Sequence, residues 1–166
     1  MEHLSYPIGR FDWNNIQPDQ KNVWLEQMST LPLRMTQQVE RMHAGELARP
    51  YRPGGWTKLQ VIHHVADSHM NGYIRTKWAL TEDNPTIKAY VQDAWATLPD
   101  GHLSPLVSLH LLQGLHERWV ALFQSLDAEA LKRTWVHPET GRTVALWQQW
   151  AQYAWHGEHH LAHLLL

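Results

Sequence analysis

Apolar residues recur at helical spacing through four long blocks of this chain, and that periodicity limits the folds open to it. Between Pro18 and about His43, Trp24, Met28, Leu31, Met35, Val39 and Met42 fall on one face, as in a helix that buries one side against a core. Pro32 removes a backbone donor in mid-block, and the stripe continues in phase beyond it. The expectation is therefore one helix bent at the proline. Thr57-Lys-Leu-Gln60 matches the S/T-x-x-E/Q capping box and opens a second helix, which Asp83-Asn84-Pro85 stops after about Thr81. Ser104-Pro105 supplies an N-cap and a first-turn proline for a third, running to about Ser125 and packing Leu109, Leu112, Trp119 and Phe123. The fourth runs from about Leu146 to the C-terminus, with Trp147, Trp150, Ala154, Leu161 and Leu165 on its expected buried side.

The connections are long. Residues 1–17 read as an extended N-terminal arm, broken by Pro7, Gly9 and Asn14-Asn15 and pinned by Tyr6, Ile8, Phe11 and Trp13. Gly45–Gly55 reads as a loop and residues 84–103 as an irregular segment. Asp127 is placed to cap a short turn through Lys132, and Thr134–Val144 carries two β-prone flanks around a Pro/Gly turn. With no internal repeat and few strand signals, the expected fold is all-α. It is a four-helix bundle in one domain spanning residues 1–166, with one small β-hairpin before the last helix.

Composition narrows the function classes. Hydrophobic residues make up 43% of the chain and Trp occurs 10 times, which argues for a packed globule. A formal charge of −2 and the lack of a basic stripe argue against a nucleic-acid partner. No apolar run is long enough to span a bilayer, and the first residues lack the pattern of a secretory signal, so a cytoplasmic protein without a membrane partner is expected. The absence of Cys excludes disulfides, thiolate ligands and a cysteine nucleophile. The 13 His stand out, because imidazole is both the commonest metal ligand and the usual acid–base group near neutrality.

Four of those histidines lie on one stripe. His156, His159, His160 and His163 stand at i, i+3, i+4 and i+7, giving two i,i+4 pairs, His156 with His160 and His159 with His163. Either pair could place two imidazoles on one divalent ion, and the spacing does not choose between them. Polar stripes usually face solvent, but such faces carry Lys and Glu. This one has His, preceded by Gln149 and Gln152, and so resembles the lining of a cleft. The second helix carries its own polar stripe of Gln60, His64, Asp67, Asn71 and Arg75. Asp67, one turn beyond His64, is the candidate general base or imidazole-orienting carboxylate. His63 lies about 100° round the helix from His64 and is expected at a helix interface. Glu158 lies off the stripe, and the sequence does not place His116 or Arg75.

Five blocks carry a resemblance over nearly the whole chain. They are Leu4-Ser-Tyr-Pro-Ile-Gly9, Tyr51-Arg-Pro-Gly-Gly-Trp-Thr57, Val61-Ile-His-His-Val-Ala-Asp-Ser-His-Met-Asn71, Leu115-His-Glu-Arg-Trp119 and Tyr153-Ala-Trp-His-Gly-Glu-His-His-Leu-Ala-His163. In this order they resemble the YfiT branch of the DinB/YfiT-like metalloenzymes. The resemblance implies a four-helix bundle with a three-histidine site, one ligand from the second helix and an i,i+4 pair from the last. Carried over by position, the ligands are His64, His159 and His163, with His160 and His156 bordering them as hydrogen-bonding neighbours. One divalent ion per chain is implied, Zn²⁺ or Ni²⁺ first and Fe²⁺ or Mn²⁺ as alternatives, with positions left open as in catalytic sites. The leading expectation is a hydrolase that uses metal-bound water or hydroxide on a small-molecule substrate. Transfer of a low-molecular-weight thiol such as bacillithiol is the second expectation, and a non-catalytic metal-binding stress protein the third. Apolar outer helix faces also suggest a homodimer.

Overall fold

A computed structural model describes residues 2–166. Four long helices form the body: α2 (Lys21–Val39), α4 (Lys58–Thr81), α6 (Pro105–Gln124) and α7 (Leu146–Leu165). One-turn helices α1 (Glu2–Ser5), α3 (Ala44–Leu47) and α5 (Gln92–Trp95) lie in the connections. A two-stranded antiparallel sheet, β1 (Thr134–Val136) and β2 (Thr143–Ala145), precedes α7, with Trp135 opposite Val144.

The local signals set the boundaries. Thr57 Oγ1 accepts from the Gln60 amide at 3.1 Å, and Gln60 Oε1 accepts from the Thr57 amide at 3.0 Å, closing the capping box at α4. Ser104 caps α6, and Asp127 accepts from the Ala130 amide at 2.8 Å. Pro32 lies inside α2, whose Trp24, Met28, Leu31, Met35 and Val39 are buried. Three connections need correction: the N-terminal arm begins as the helical turn α1, the Gly45–Gly55 loop starts inside α3, and residues 84–103 contain α5 and a 3₁₀ turn at Pro99–His102. On α7, Leu165 is 66% exposed while Leu164 is buried. The buried face of α7 includes Gly157, His160, His163 and Leu164, so it is set by the histidines as much as by the apolar residues.

Helix order in space differs from order in sequence. α2 packs on α6 and α7, and α4 packs on the same two, so α2 and α4 occupy one diagonal of the bundle. Specific contacts give the directions. Lys58 Nζ donates to the Leu164 carbonyl at 2.9 Å and Gln149 Nε2 to the Gly72 carbonyl at 2.6 Å, so α4 and α7 run antiparallel. His63 meets Ser108 at 2.7 Å and Trp119 Nε1 donates to Thr76 Oγ1 at 3.0 Å, so α4 and α6 run parallel. Trp24 stacks on Trp147 and Arg34 pairs with Glu158, so α2 and α7 also run parallel. A parallel pair cannot be joined by a tight turn. The chain leaving α4 must travel back along a helix about 36 Å long before α6 can start. This is the physical reason for the long segment 82–104.

The core has two zones within the bundle. Leu31, Met35, Val61, Ile62, Leu109 and Leu112 fill one end, and Trp24, Met28, Trp119, Phe123 and Trp150 the other. Phe123 and Trp150 stack at 3.9 Å with an interplanar angle of 7°. The hairpin is tied in through Gln149, which accepts from Trp135 Nε1 at 2.6 Å and donates to the Thr76 hydroxyl at 3.0 Å. Gly72 sits where α4, α6 and α7 converge. A Cβ there would lie 2.5 Å from both Trp119 and Tyr153. Gly72→Ala should therefore destabilise the protein by about 1–3 kcal/mol through overpacking, despite alanine's better helix propensity. Urea unfolding of the two proteins checks this, and an unchanged or higher midpoint would contradict it.

Candidate metal centre

Five histidines from α4 and α7 meet at one end of the bundle. His64, His156 and His160 each offer a ring nitrogen within 4.8 Å of the others, and His159, His160 and His163 do the same. The two triads share His160. The structure therefore gathers all four stripe histidines into one cluster, with His156 and His160 against His64 and with His159 and His163 joined to them through His160, so both i,i+4 pairs take part. The set implied by the resemblance, His64, His159 and His163, is divided between the triads, with His160 in the middle. Packing orients the rings: Trp155 stacks on His159 at 4.6 Å and 18°, Trp56 lies 4.7 Å from His64, and Tyr51 lies 4.0 Å from His163.

The imidazoles are neutral. Burial pushes His64 and His159 down to about 4, helped by the neighbouring His159 and His163 respectively. Burial, then the surrounding histidines, holds His156 and His160 well below the ordinary value. His163 is also lowered by burial, partly offset by backbone carbonyls of Ser5 and Leu4. A neutral imidazole carries one N–H and one lone pair, so each fixed donor leaves a bare nitrogen opposite.

Two backbone carbonyls fix the donors. The Leu4 carbonyl lies 3.1 Å from His163 Nε2 and can only accept, so His163 Nδ1 is bare and faces His160 Nδ1 at 3.2 Å. The second carbonyl belongs to Met28, four residues before Pro32. Proline has no N–H, so this carbonyl has no i+4 helical partner, and it accepts from His116 Nδ1 at 2.6 Å instead. Burial lowers His116 to about 4, so its Nε2 is a lone pair, which accepts from His69 Nδ1 at 2.8 Å. His69, fully buried and held well below its ordinary value, in turn accepts at Nε2 from His156 Nδ1 at 3.1 Å. The chain ends with a bare His156 Nε2 at 3.3 Å from His64 Nε2. One missing proton on α2 thus sets the tautomer of a histidine on α7 (metal-site imidazoles are commonly oriented by such outer hydrogen bonds).

Two cavities adjoin the cluster. One, of about 530 Å³, is lined by His64, His156, His159, His160 and His163 together with Tyr51, Arg52 and Trp56. The other, of about 710 Å³, lies between α4, α7 and the hairpin and contains Arg75, Tyr90, Trp135 and Tyr153. Gln92, Asp93 and His156 line both. Asp67 is placed differently. It is half-buried, lines neither cavity, and is raised to about 6 by burial and by Asp100. His63 lies at the α4–α6 interface, as its position on the helix suggests, between Ser108 Oγ and the Leu103 carbonyl. Glu158 faces α2, where it pairs with Arg34.

Sequence reasoning did not single out His69 or Asp93 and left His116 and Arg75 open. His69 sits inside an apolar helix face, where no spacing rule marks it. Met28 and His116 could be connected only through the proline, whose freed carbonyl is a sequence-level signal. Nitrogen-15 NMR of the histidine rings should show His116, His69 and His156 protonated at Nδ1. Pro32→Ala, which gives Met28 a helical partner, should weaken that pattern at all three; a pattern unchanged in the variant, or His156 protonated at Nε2, would refute the chain.

Comparisons with known proteins identify the family of this chain. Residues 27–164 match the model of the DinB superfamily. A Bacillus cereus protein named "Putative metal-dependent hydrolase" is 49% identical over 168 residues, covering 99% of this chain and 95% of its own length. A protein of the same description from Bacillus thuringiensis subsp. konkukian is 49% identical over 165 residues, with the same coverage. Among solved structures, YfiT from Bacillus subtilis, described as "a probable metal-dependent hydrolase with an unusual four-helix bundle topology", superposes with a TM-score of 0.94 at 44% identity. The match covers 98% of this chain and 94% of that one. A mycothiol-dependent maleylpyruvate isomerase shares the fold at a TM-score of 0.68 and 16% identity, over 93% of this chain and 63% of that one. On sequence, bundle topology and length alike, the chain belongs to the DinB superfamily and shares the fold of YfiT.

Proposed function

We propose that this protein is a cytoplasmic metal-dependent hydrolase that holds one divalent ion, Zn²⁺ or Ni²⁺, through His64, His159 and His163 and acts on a small-molecule substrate. The observation that supports the proposal is the convergence of imidazole nitrogens from two helices beside an open cavity, in the triads His64–His156–His160 and His159–His160–His163; the choice of His64, His159 and His163 within that cluster rests on the family resemblance. The donor set fits such an ion. His159 Nδ1 is buried without a hydrogen-bond partner, and His163 Nδ1 is bare because its other nitrogen serves Leu4. Neutral nitrogen donors suit these borderline ions, and no proton has to be displaced to bind one. A bound ion would supply the Lewis acidity that activates water near neutral pH.

The remaining groups are the chain's own. Trp155 and Trp56 hold the His159 and His64 rings in place, and His160 and His156 stand beside them to share hydrogen bonds. Asp67, one turn beyond His64 on α4, lines neither cavity and is given no direct part in the reaction. Two cavities meeting at His156 also leave room for two reactants, and this favours thiol transfer as the second reading.

Untagged protein should contain about one ion per chain. His64→Ala, His159→Ala and His163→Ala should each weaken binding by more than the roughly 10–100-fold that loss of an outer partner costs. His156→Ala should stay within that range. Loss of metal in His156→Ala and His160→Ala with retention in His159→Ala and His163→Ala would move the ion to the other triad.

Acidity gives an independent check. Unfolded histidines take up protons near pH 6.5, whereas His64, His116 and His159 do so near 4 in the folded protein. The unfolded state therefore binds more protons in this window, and the stability of metal-free protein should fall as pH drops from about 6.5 toward 4. Urea midpoints that stay flat across that window would contradict the buried, neutral cluster.

A further inference from the structure

The larger cavity contains a cation without a counter-charge. Arg75 projects from α4 and is 9% exposed. Among the described residues no carboxylate lies within 4.0 Å of its guanidinium. Its Nε has no hydrogen-bond partner, and the other nitrogens reach only the Tyr153 hydroxyl and the Lys88 carbonyl, each at 3.4 Å. The Trp135 ring lies 5.7 Å from it. Arginine does not lose its proton in a protein, and a buried charge is unfavourable unless paired. Asp93 and Glu139, the two acidic residues of the cavity wall, are both exposed and make no ion pair with it.

The surroundings define what the missing partner would be. Arg142, the other arginine of the wall, is exposed and lies over the Trp13 ring, so the one buried guanidinium presents a planar fork that matches a single carboxylate. Tyr90 is pushed up to about 12 and Tyr153 is also raised, both by burial, so their hydroxyls keep their protons and can donate. Trp13, Trp135 and Val144 add apolar wall, and the volume of about 710 Å³ falls within the range of small-molecule sites. His156 lies on the shared boundary with the histidine cavity.

We propose that the substrate is a small organic acid with an apolar or aromatic body, whose carboxylate is bound by Arg75 while its reacting group extends past His156 to the metal centre. The second half of this statement rests on the proposed metal-dependent function; the Arg75 site does not.

Calorimetric titration with phenylacetate, phenylacetamide and phenyl phosphate tests the site, on metal-free and on metal-loaded protein. Phenylacetate should bind both forms, at least about 10-fold tighter than the neutral amide. Arg75→Gln should lose that preference while its metal content stays unchanged. Its thermal midpoint should be equal or higher, because an uncompensated buried charge has been removed. Equal binding of acid and amide, or retained preference in Arg75→Gln, would overturn the site. Tighter binding of phenyl phosphate would overturn the carboxylate assignment. Binding of phenylacetate only to metal-loaded protein would show the ion, and not Arg75, to be the acceptor. Should Arg75→Gln fail to fold, the ligand series on the unaltered protein still decides. Failure of the metal proposal would appear separately, as missing metal with phenylacetate binding intact.

Discussion

The site depends on a hydrogen bond that α2 cannot make. Pro32 leaves the Met28 carbonyl without a helical donor in the buried interior, where an unmet acceptor is costly. His116 fills that vacancy at 2.6 Å, and the direction of this bond passes through His69 to His156. A proline that looks like a mere kink in a core helix is in this way connected to a histidine of the neighbouring helix α7. Burial supports the arrangement from the other side. It keeps every ring in the chain neutral, and only a neutral ring has the single N–H and single lone pair that give the chain a direction.

The same burial reconciles a histidine-rich seam with a stable bundle. Polar groups between α4 and α7 are matched mainly with one another: Lys58 with the end of α7, Gln149 with Gly72 and Thr76, and the imidazoles in sequence. Arg75 Nε, His159 Nδ1 and the indole nitrogens of Trp150 and Trp155 are exceptions, and all but Trp150 border a cavity. Unmatched polar atoms beside open volume are the usual sign that a ligand completes the structure.

Much of the fold was legible because its determinants are local. The capping box at Thr57, the Ser104-Pro105 start and the Pro/Gly turn of the hairpin each act over four or five residues, and each is found where expected. The diagonal placement of α2 and α4 was not legible, since it depends on which faces meet after collapse, and no connection length specifies it. The histidine stripe was readable from i,i+4 spacing, but its use was not. Spacing makes the two pairs equivalent, and in the structure both lie at the cluster, joined by His160. His69 was missed because a histidine on an apolar face has no pattern of its own. Its role comes from His116, forty-seven positions away.

The long return from α4 to α6 has a further effect. Parallel helices require a connector that traverses the bundle, and this one carries Ala89, Tyr90, Gln92 and Asp93 past both cavities. The helices need only its reach, so its composition is largely free of the constraints on a packed core. Reactivity is thus anchored in rigid helices, while selectivity can drift in a tether that stability scarcely polices. A lineage with this architecture could exchange one substrate for another by editing a strap and leave its histidine-bearing helices untouched.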